Sequence, residues 1–210
     1  MKGPRIMQTL PEIIDPKHTA LVVWDVQNGM VADIFNRSEF LENIKLLIKV
    51  ARDQGIPLFY TKITPLPTSL ESPFRMYMMM RRLGIDDPQK LPVHLPVGSP
   101  RAEIHNEVAP GEGEIVISKN TASIFIGTNF ENMLRNAGIK TVIFSGISTE
   151  VGIDASARDA VNRSFYTIVA AECVSSQIEE MHKASLKTLS RVCLVLPTRE
   201  IMDGWKKNSI

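Results

Sequence analysis

Six short apolar runs, rich in β-branched residues and free of polar alternation, constrain this chain more than any other feature. They are Thr19–Trp24 (TALVVW), Ile56–Thr61 (IPLFYT), Glu114–Ser118 (EIVIS), Thr141–Ser145 (TVIFS), Tyr166–Ala171 (YTIVAA) and Val192–Leu196 (VCLVL). A strand with one wet face alternates polar and apolar residues. A strand apolar on both faces belongs in a parallel sheet covered on both sides. Helical patterns lie between the runs. Phe40–Gln54 places Leu41, Ile44, Leu47, Ile48 and Ala51 on one face and stops at Gly55. Asn129–Ala137 closes at Gly138, Glu150–Asn162 follows an N-cap candidate at Thr149, and Ile178–Arg191 follows Ser175 and Ser176. Strand–helix–strand repetition with short links requires right-handed crossovers. The expected fold is therefore α/β: three layers, α/β/α, around a doubly wound, six-stranded, mainly parallel sheet, in one domain spanning residues 1–210.

Composition narrows the partners. Hydrophobic residues are 44% and charged residues 22% of 210, enough for a single buried core. Twenty-four Lys+Arg against 23 Asp+Glu leave +1, so neither nucleic acid nor a membrane surface is an expected partner. The first residues, MKGPRIMQTLPEIIDPKH, lack the apolar run of a signal peptide. No stretch approaches the roughly 20 apolar residues that span a bilayer. Two cysteines make no disulfide framework, and a cytoplasmic setting is expected.

Residues 64–113 break the rhythm. They hold eight of the 13 prolines and a cluster at Met76, Met78, Met79 and Met80. One short helix is expected there, over Pro73–Leu83. Its Met face would either pack on a neighbouring element or serve a lid or an oligomer contact.

Ligands of open parallel sheets bind beyond the carboxyl ends of the strands. There the first run ends in Asp25-Val26-Gln27-Asn28, the third in Lys119-Asn120, the fourth in Gly146-Ile147-Ser148-Thr149, and the fifth in Glu172-Cys173. Asp25 and Lys119 form either a structural ion pair or a general acid–base whose protonation Lys119 tunes. The segment from Gly146 to Asp154 is a turn opening a helix, whose N–H groups suit an oxyanion or carboxylate. Neither GxGxxG nor GxxxxGK[ST] is present, so nucleotide binding loses its usual support and no cofactor is expected.

These residues resemble the isochorismatase-like, or cysteine, hydrolases, which include isochorismatases, nicotinamidases and N-carbamoylsarcosine amidohydrolases. Three blocks carry the resemblance: ALVVWDVQNGMV, VISKNTASIFIGTNFENMLRNAGIKTVIFSGISTE, and GISTEVGIDASARDAVNRSFYTIVAAECVSS. It runs from about Lys17 to Leu196. It implies a Rossmann-like fold, a small-molecule substrate, a homo-oligomer (dimer or tetramer), a catalytic aspartate at Asp25 and a catalytic lysine at Lys119. It also implies a cis peptide at Ile147–Ser148 that aims a backbone N–H into the site. Gln27, Ser148 and Thr149 are the candidate substrate-binding residues.

One departure is informative. The family's G-x-x-T-x-x-C reads Gly146-Ile147-Ser148-Thr149-Glu150-Val151-Gly152 here, with glycine at the nucleophile position. Without a thiolate the thioester route to amides loses its central step. Isochorismatases resemble this chain in carrying glycine there, and the expectation is that Gly152 belongs to the catalytic set with Asp25 and Lys119: it leaves room for substrate, and its N–H opens on the same pocket. Two positions depart from isochorismatases: Ser148 stands where an aromatic residue is usual, and Ile63 where a glutamine follows the second strand. Lys62 or Arg75 are candidates to supply the missing charge. The Asp-x-His of a nicotinamidase metal site is missing. His18, His94, His105 and His182 are scattered, so no catalytic metal is expected. Cys193 reads as core, and Cys173 is a weak candidate nucleophile at the correct edge. Two functions follow: a hydrolase using Asp25 and Lys119 on a small carbonyl or enol-ether compound, or a non-catalytic relative that binds a small molecule or acts as a scaffold.

Overall fold

A computed structural model describes residue 3 and residues 6–207. The strands are β1 (Thr19–Trp24), β2 (Leu58–Ile63), β3 (Ile115–Lys119), β4 (Thr141–Ile147), β5 (Tyr166–Ser175) and β6 (Leu194–Leu196). They form one sheet in the order β3-β2-β1-β4-β5-β6, and every pair is parallel. The chain winds outward from β1 through β2 to β3, then crosses back to β4 and winds the other way. The reversal lies between β1 and β4, the place where such sheets open a crevice.

The helices are α1 (Leu10–Ile13), α2 (Asn28–Val31), α3 (Arg37–Asp53), α4 (Pro73–Leu83), α5 (Phe130–Asn136), α6 (Asp154–Asn162), α7 (Glu179–Leu189) and α8 (Thr198–Lys207). Side-chain alternation along β1 feeds two cores. Leu21 and Val23 join α3 and α8 through Ile44, Leu47, Ile48, Ile201 and Trp205. Ala20, Val22 and Trp24 join α5 and α6 through Phe130, Leu134, Ala157 and Ala160. Both faces of the central strands are thus buried, which is why their sequences are largely apolar on both faces.

Four differences from the sequence reading have physical causes. The edge strands are not covered on both faces: Ile115 and Val116 of β3 are 42% and 41% exposed, and Leu194 of β6 is 41% exposed. An apolar run does not distinguish an edge strand from a central one. β5 continues to Ser175, past Ala171 where its strongest apolar run ends. The helix after β4 begins with a π turn, Thr149–Ile153, before α6. Finally α8 lies beyond the last run; Ile201, Met202 and Trp205 bury one face of it, at helical spacing.

The 64–113 excursion has two halves. The second wraps the end of β1: Asn28 N–H donates to the Glu103 carbonyl (2.8 Å), and His105 N–H to that of Val26 (2.8 Å). Leu95, Ala102 and Val108 are buried there. The first half carries α4, over the expected residues, with an N-cap at Ser72 and left-handed Gly84 at its end. Its Met face does not pack as the simpler reading held: α4 has no buried residue, and Met78 is 51% exposed.

One close approach fixes the sheet centre. Gly146 pairs with Trp24 across β4 and β1, at φ +119°, where β4 and β5 slip register. A Cβ on Gly146 would lie 2.0 Å from the Trp24 carbonyl oxygen, so only glycine lets the two strand ends meet. Gly146→Ala is expected to cost about 3 kcal/mol or more in urea unfolding. A loss under about 1 kcal/mol would show that this approach does not constrain the sheet.

Candidate active site

Asp25 is the first residue past β1 and leaves it at φ +45°. An aspartate tolerates that left-handed geometry better than most residues, though at a cost of about 1–2 kcal/mol. Two neighbours hold it. The Asp25 N–H donates to Thr61 Oγ1 (2.9 Å), and the Thr61 hydroxyl donates to Asp25 Oδ1 (2.5 Å). Lys119 Nζ donates to Oδ2 at 2.7 Å. Lys119 and Asp25 are only 6% and 4% exposed.

The expected Asp25–Lys119 contact is therefore present, but the two strand ends are not adjacent. β2 lies between β1 and β3, and Lys119 sits opposite Ile63, two residues beyond Thr61. Only a long side chain crosses β2, and Thr61 supplies the intermediate link. Thr61 escaped the sequence reading because its role depends on the β1–β2 register, which no motif encodes. The Lys119 ammonium also lies 3.8 Å from the centroid of the Trp24 ring, a cation–π contact in a desolvated setting.

Burial sets the electrostatics. It pushes the Asp25 carboxyl above its ordinary value, against the lowering effects of the Lys119 charge and of hydrogen bonds from Lys119 and Thr61. It pushes the Lys119 amine below its ordinary value, against the raising effect of Asp25; the Arg75 charge lowers it a little further. An acid moved up and a base moved down bring their proton affinities together. Arg75 reaches this edge from α4: its Nη1 donates to the Asn120 carbonyl at 2.7 Å, and the guanidinium pairs with Glu71. Lys62 instead pairs with Glu103 at 2.8 Å.

The peptide Ile147–Ser148 is cis. Beyond it the structure corrects two expectations at Gly152. Its N–H does not open on the site; it donates to the Ser148 carbonyl (3.1 Å), as do those of Val151 (3.4 Å) and Ile153 (3.2 Å). The π turn folds three amides onto one oxygen. Ser148 to Glu150 supply the amides that precede these bonds at the start of the turn. Nor does Gly152 leave room for substrate. A Cβ there would lie 2.0 Å from Trp24 Nε1 and 2.3 Å from Cε2: the indole already fills the space.

Of the candidate binding residues, Ser148 is half-buried beside Gly152, and the other two are engaged internally. Gln27 is fully buried; its amide donates to the carbonyls of Ala102 (2.7 Å) and Ile63 (3.3 Å) and accepts from Ile63 N–H (2.8 Å). It ties β1, β2 and the excursion together. The buried Thr149 hydroxyl donates to the Ser175 carbonyl (3.1 Å) and meets His182 Nδ1 at 2.8 Å. With its one proton given to Ser175, it accepts from Nδ1–H. Both residues spend their polar atoms on the fold. Cys173 is buried in the α3/α8 core, its thiol pushed up to about 12 by burial, and lies on the wrong side for a nucleophile. Among the described residues no three His, Cys, Asp or Glu side chains converge as metal ligands.

Comparison with known proteins identifies the family. The isochorismatase domain family matches residues 19–200, and the chain belongs to that family of hydrolases. It is 28% identical over 188 residues to the ureidoacrylate amidohydrolase RutB of Pantoea ananatis, covering 79% of this chain and 73% of that protein. It is 43% identical to the maleamate amidohydrolase of Pseudomonas putida over 89 residues, 42% of either chain. A cysteine hydrolase from Pseudomonas syringae pv. phaseolicola superposes with a TM-score of 0.79 at 20% identity, covering 99% of this chain and all of that one; this likeness concerns the fold.

Removing one partner of a buried pair strands the other. Lys119→Met is expected to cost about 3 kcal/mol at pH 8, measured by urea unfolding. Without Lys119, the folded pKa of Asp25 rises further above its unfolded value of about 3.9. Stability from such a raised carboxyl is fully present below the unfolded pKa and lost as pH rises through the folded one. The loss should therefore shrink at pH 5. A loss equal at both pH values, or larger at pH 5, would contradict this electrostatic account.

Proposed function

We propose that this chain hydrolyses a small carbonyl or enol-ether compound by acid–base chemistry of Asp25 and Lys119, with water as the nucleophile and no covalent intermediate. The observation that carries the reading is the buried Asp25–Lys119 contact, which runs from the end of β1 across β2 to the end of β3; the turn after β4 carries Gly152 where the family resemblance puts the nucleophile. A carboxyl pushed up by burial holds a proton at a pH where an exposed aspartate has lost it. Asp25 gives that proton to the enol carbon of a vinyl ether. Water adds to the resulting oxocarbenium carbon and returns a proton to the Asp25 carboxylate, which Lys119 and Thr61 stabilise meanwhile. The hemiketal then breaks its C–O bond to release an alcohol and a carbonyl product. On an amide the roles invert: Asp25 takes the proton of the attacking water and passes it to the leaving nitrogen. The early amides of the turn, Ser148 among them, face the developing oxyanion. Gln27 and Thr149 bind indirectly, by fixing the backbone that lines the crevice. The relatives named as ureidoacrylate and maleamate amidohydrolases put small amides beside enol ethers in the substrate panel.

One observation favours a second reading, a small-molecule binder without turnover: Trp24 covers both Lys119 and Gly152.

Incubation with a panel of enol ethers, amides and ureido acids, with products detected by mass, separates the readings. Turnover of an enol ether should fall as pH rises through the Asp25 pKa, because the protonated form is the reactant. Asp25→Asn should lower the rate by about a hundredfold or more. A rate that rises with pH would assign Asp25 the base role and an amide substrate. A ligand that binds without turnover in any variant would favour the non-catalytic reading.

A further inference from the structure

The centre of this site is filled by a residue that no catalytic role requires. Trp24 is the last residue of β1, 1% exposed, and its side chain points to the α5/α6 face. Its indole does two things there. It lies under the Lys119 ammonium, 3.8 Å from the ring centroid. It also lies against the bare Cα of Gly152, so close that a Cβ at that position would be 2.0 Å from Nε1, 2.3 Å from Cε2 and 2.6 Å from Cζ2. No side chain at position 152 coexists with the indole in this position. The contact is with the rigid two-ring system, not the tip of a flexible chain, and β4 holds the Trp24 backbone from the other side through Gly146.

We propose that Trp24 is the specificity-determining residue of this site. Its indole takes the volume that a nucleophilic side chain at position 152 would occupy, so Trp24 and Gly152 form a steric couple that is exchangeable only as a pair. The proposal deepens the water-based reading above: the couple excludes a thiol from the turn and leaves Asp25 and Lys119 as the reactive groups. It also assigns Trp24 a second task. By spreading its π face under Lys119, the indole holds the ammonium on the Asp25 side of the crevice, so Trp24 governs both which chemistry is possible and where the lysine points.

A mutant cycle on the full chain tests the couple without needing a substrate. Gly152→Ala should lower the urea midpoint. Trp24→Val should lower it too, by opening a cavity. Together they should cost clearly less than the sum of the two losses, because the new methyl enters the vacated space. Additive losses would overturn the proposal. A second pair reads chemistry. Trp24→Val with Gly152→Cys should give a thiol that reacts with iodoacetamide at pH 7, about threefold faster for each unit by which the turn lowers its pKa toward 7. The background is low, since burial pushes Cys173 up to about 12 and Cys193 up to about 11. Gly152→Cys alone should fold poorly or bury an unreactive thiol. Equal stability and reactivity of the single and double cysteine variants would overturn the proposal. A parent protein that turns over nothing, together with a non-additive cycle, would support the couple and count against the acid–base reading alone.

Discussion

The contact between Lys119 and Asp25 constrains much of the functional architecture. It joins the ends of β1 and β3 across the intervening β2, and it can form only if three strands end in register. Thr61 fills the gap, Gln27 ties the end of β1 to that of β2 one step further on, and Asp25 accepts a left-handed backbone to reach its partners. Taking two charges from water is costly, and their attraction offsets that cost only when the remaining lone pairs and protons are satisfied. Here the carboxylate oxygens accept from Lys119 and Thr61, and the ammonium rests on the Trp24 ring. Hydrophobic residues of similar volume would serve folding as well or better. A buried, strained, polar arrangement at strand ends therefore does little for stability, which is what makes it a candidate functional site.

The fold was legible because its central strands obey one rule. β1 is apolar at every position after Thr19 and buried at every position, and its limits could be read to the residue. β3 and β6 were legible as strands but not as edges, since an apolar run says nothing of what covers it. The end of β5 was obscured because the polar Glu172 and Ser175 interrupt its apolar pattern while its pairing continues to Ile147↔Ser175. α8 was missed although Ile201, Met202 and Trp205 carry a helical spacing. Its signal lay beyond the last strand, where no strand–helix alternation called for another element.

The site was legible where side chains are read through motifs and opaque where they are read through register. Asp25 and Lys119 stand at strand ends with chemistry that draws attention. Thr61 is one threonine in an apolar strand until the β1–β2 pairing sets it beside Asp25. Thr149 and Gln27 stand in the right segments, yet their polar atoms turn inward to Ser175, His182, Ile63 and Ala102. Position in sequence fixes which strand end a residue occupies. The direction of its side chain depends on backbone groups elsewhere that need partners.

Gly152 shows why the absence of a side chain differs from a gain of space. A glycine in place of a larger residue suggests a vacancy, but interiors pack near the density of crystals, and a gap of side-chain size costs stability. Something must fill it, and the filler is found by asking what lies nearest in space, not in sequence. Trp24 is 128 residues away in the chain and faces Gly152 because β1 and β4 are neighbours in the sheet. The two positions also share Gly146, which lets β4 approach the Trp24 backbone closely enough for the indole to reach the turn. A larger residue at 146 would force the strands apart and draw the ring from Gly152 and Lys119 together. The chemistry of the crevice and the packing of the sheet centre therefore depend on the same few ångströms of backbone. A substitution at any of these three positions should be read against the other two before a catalytic role is assigned to it.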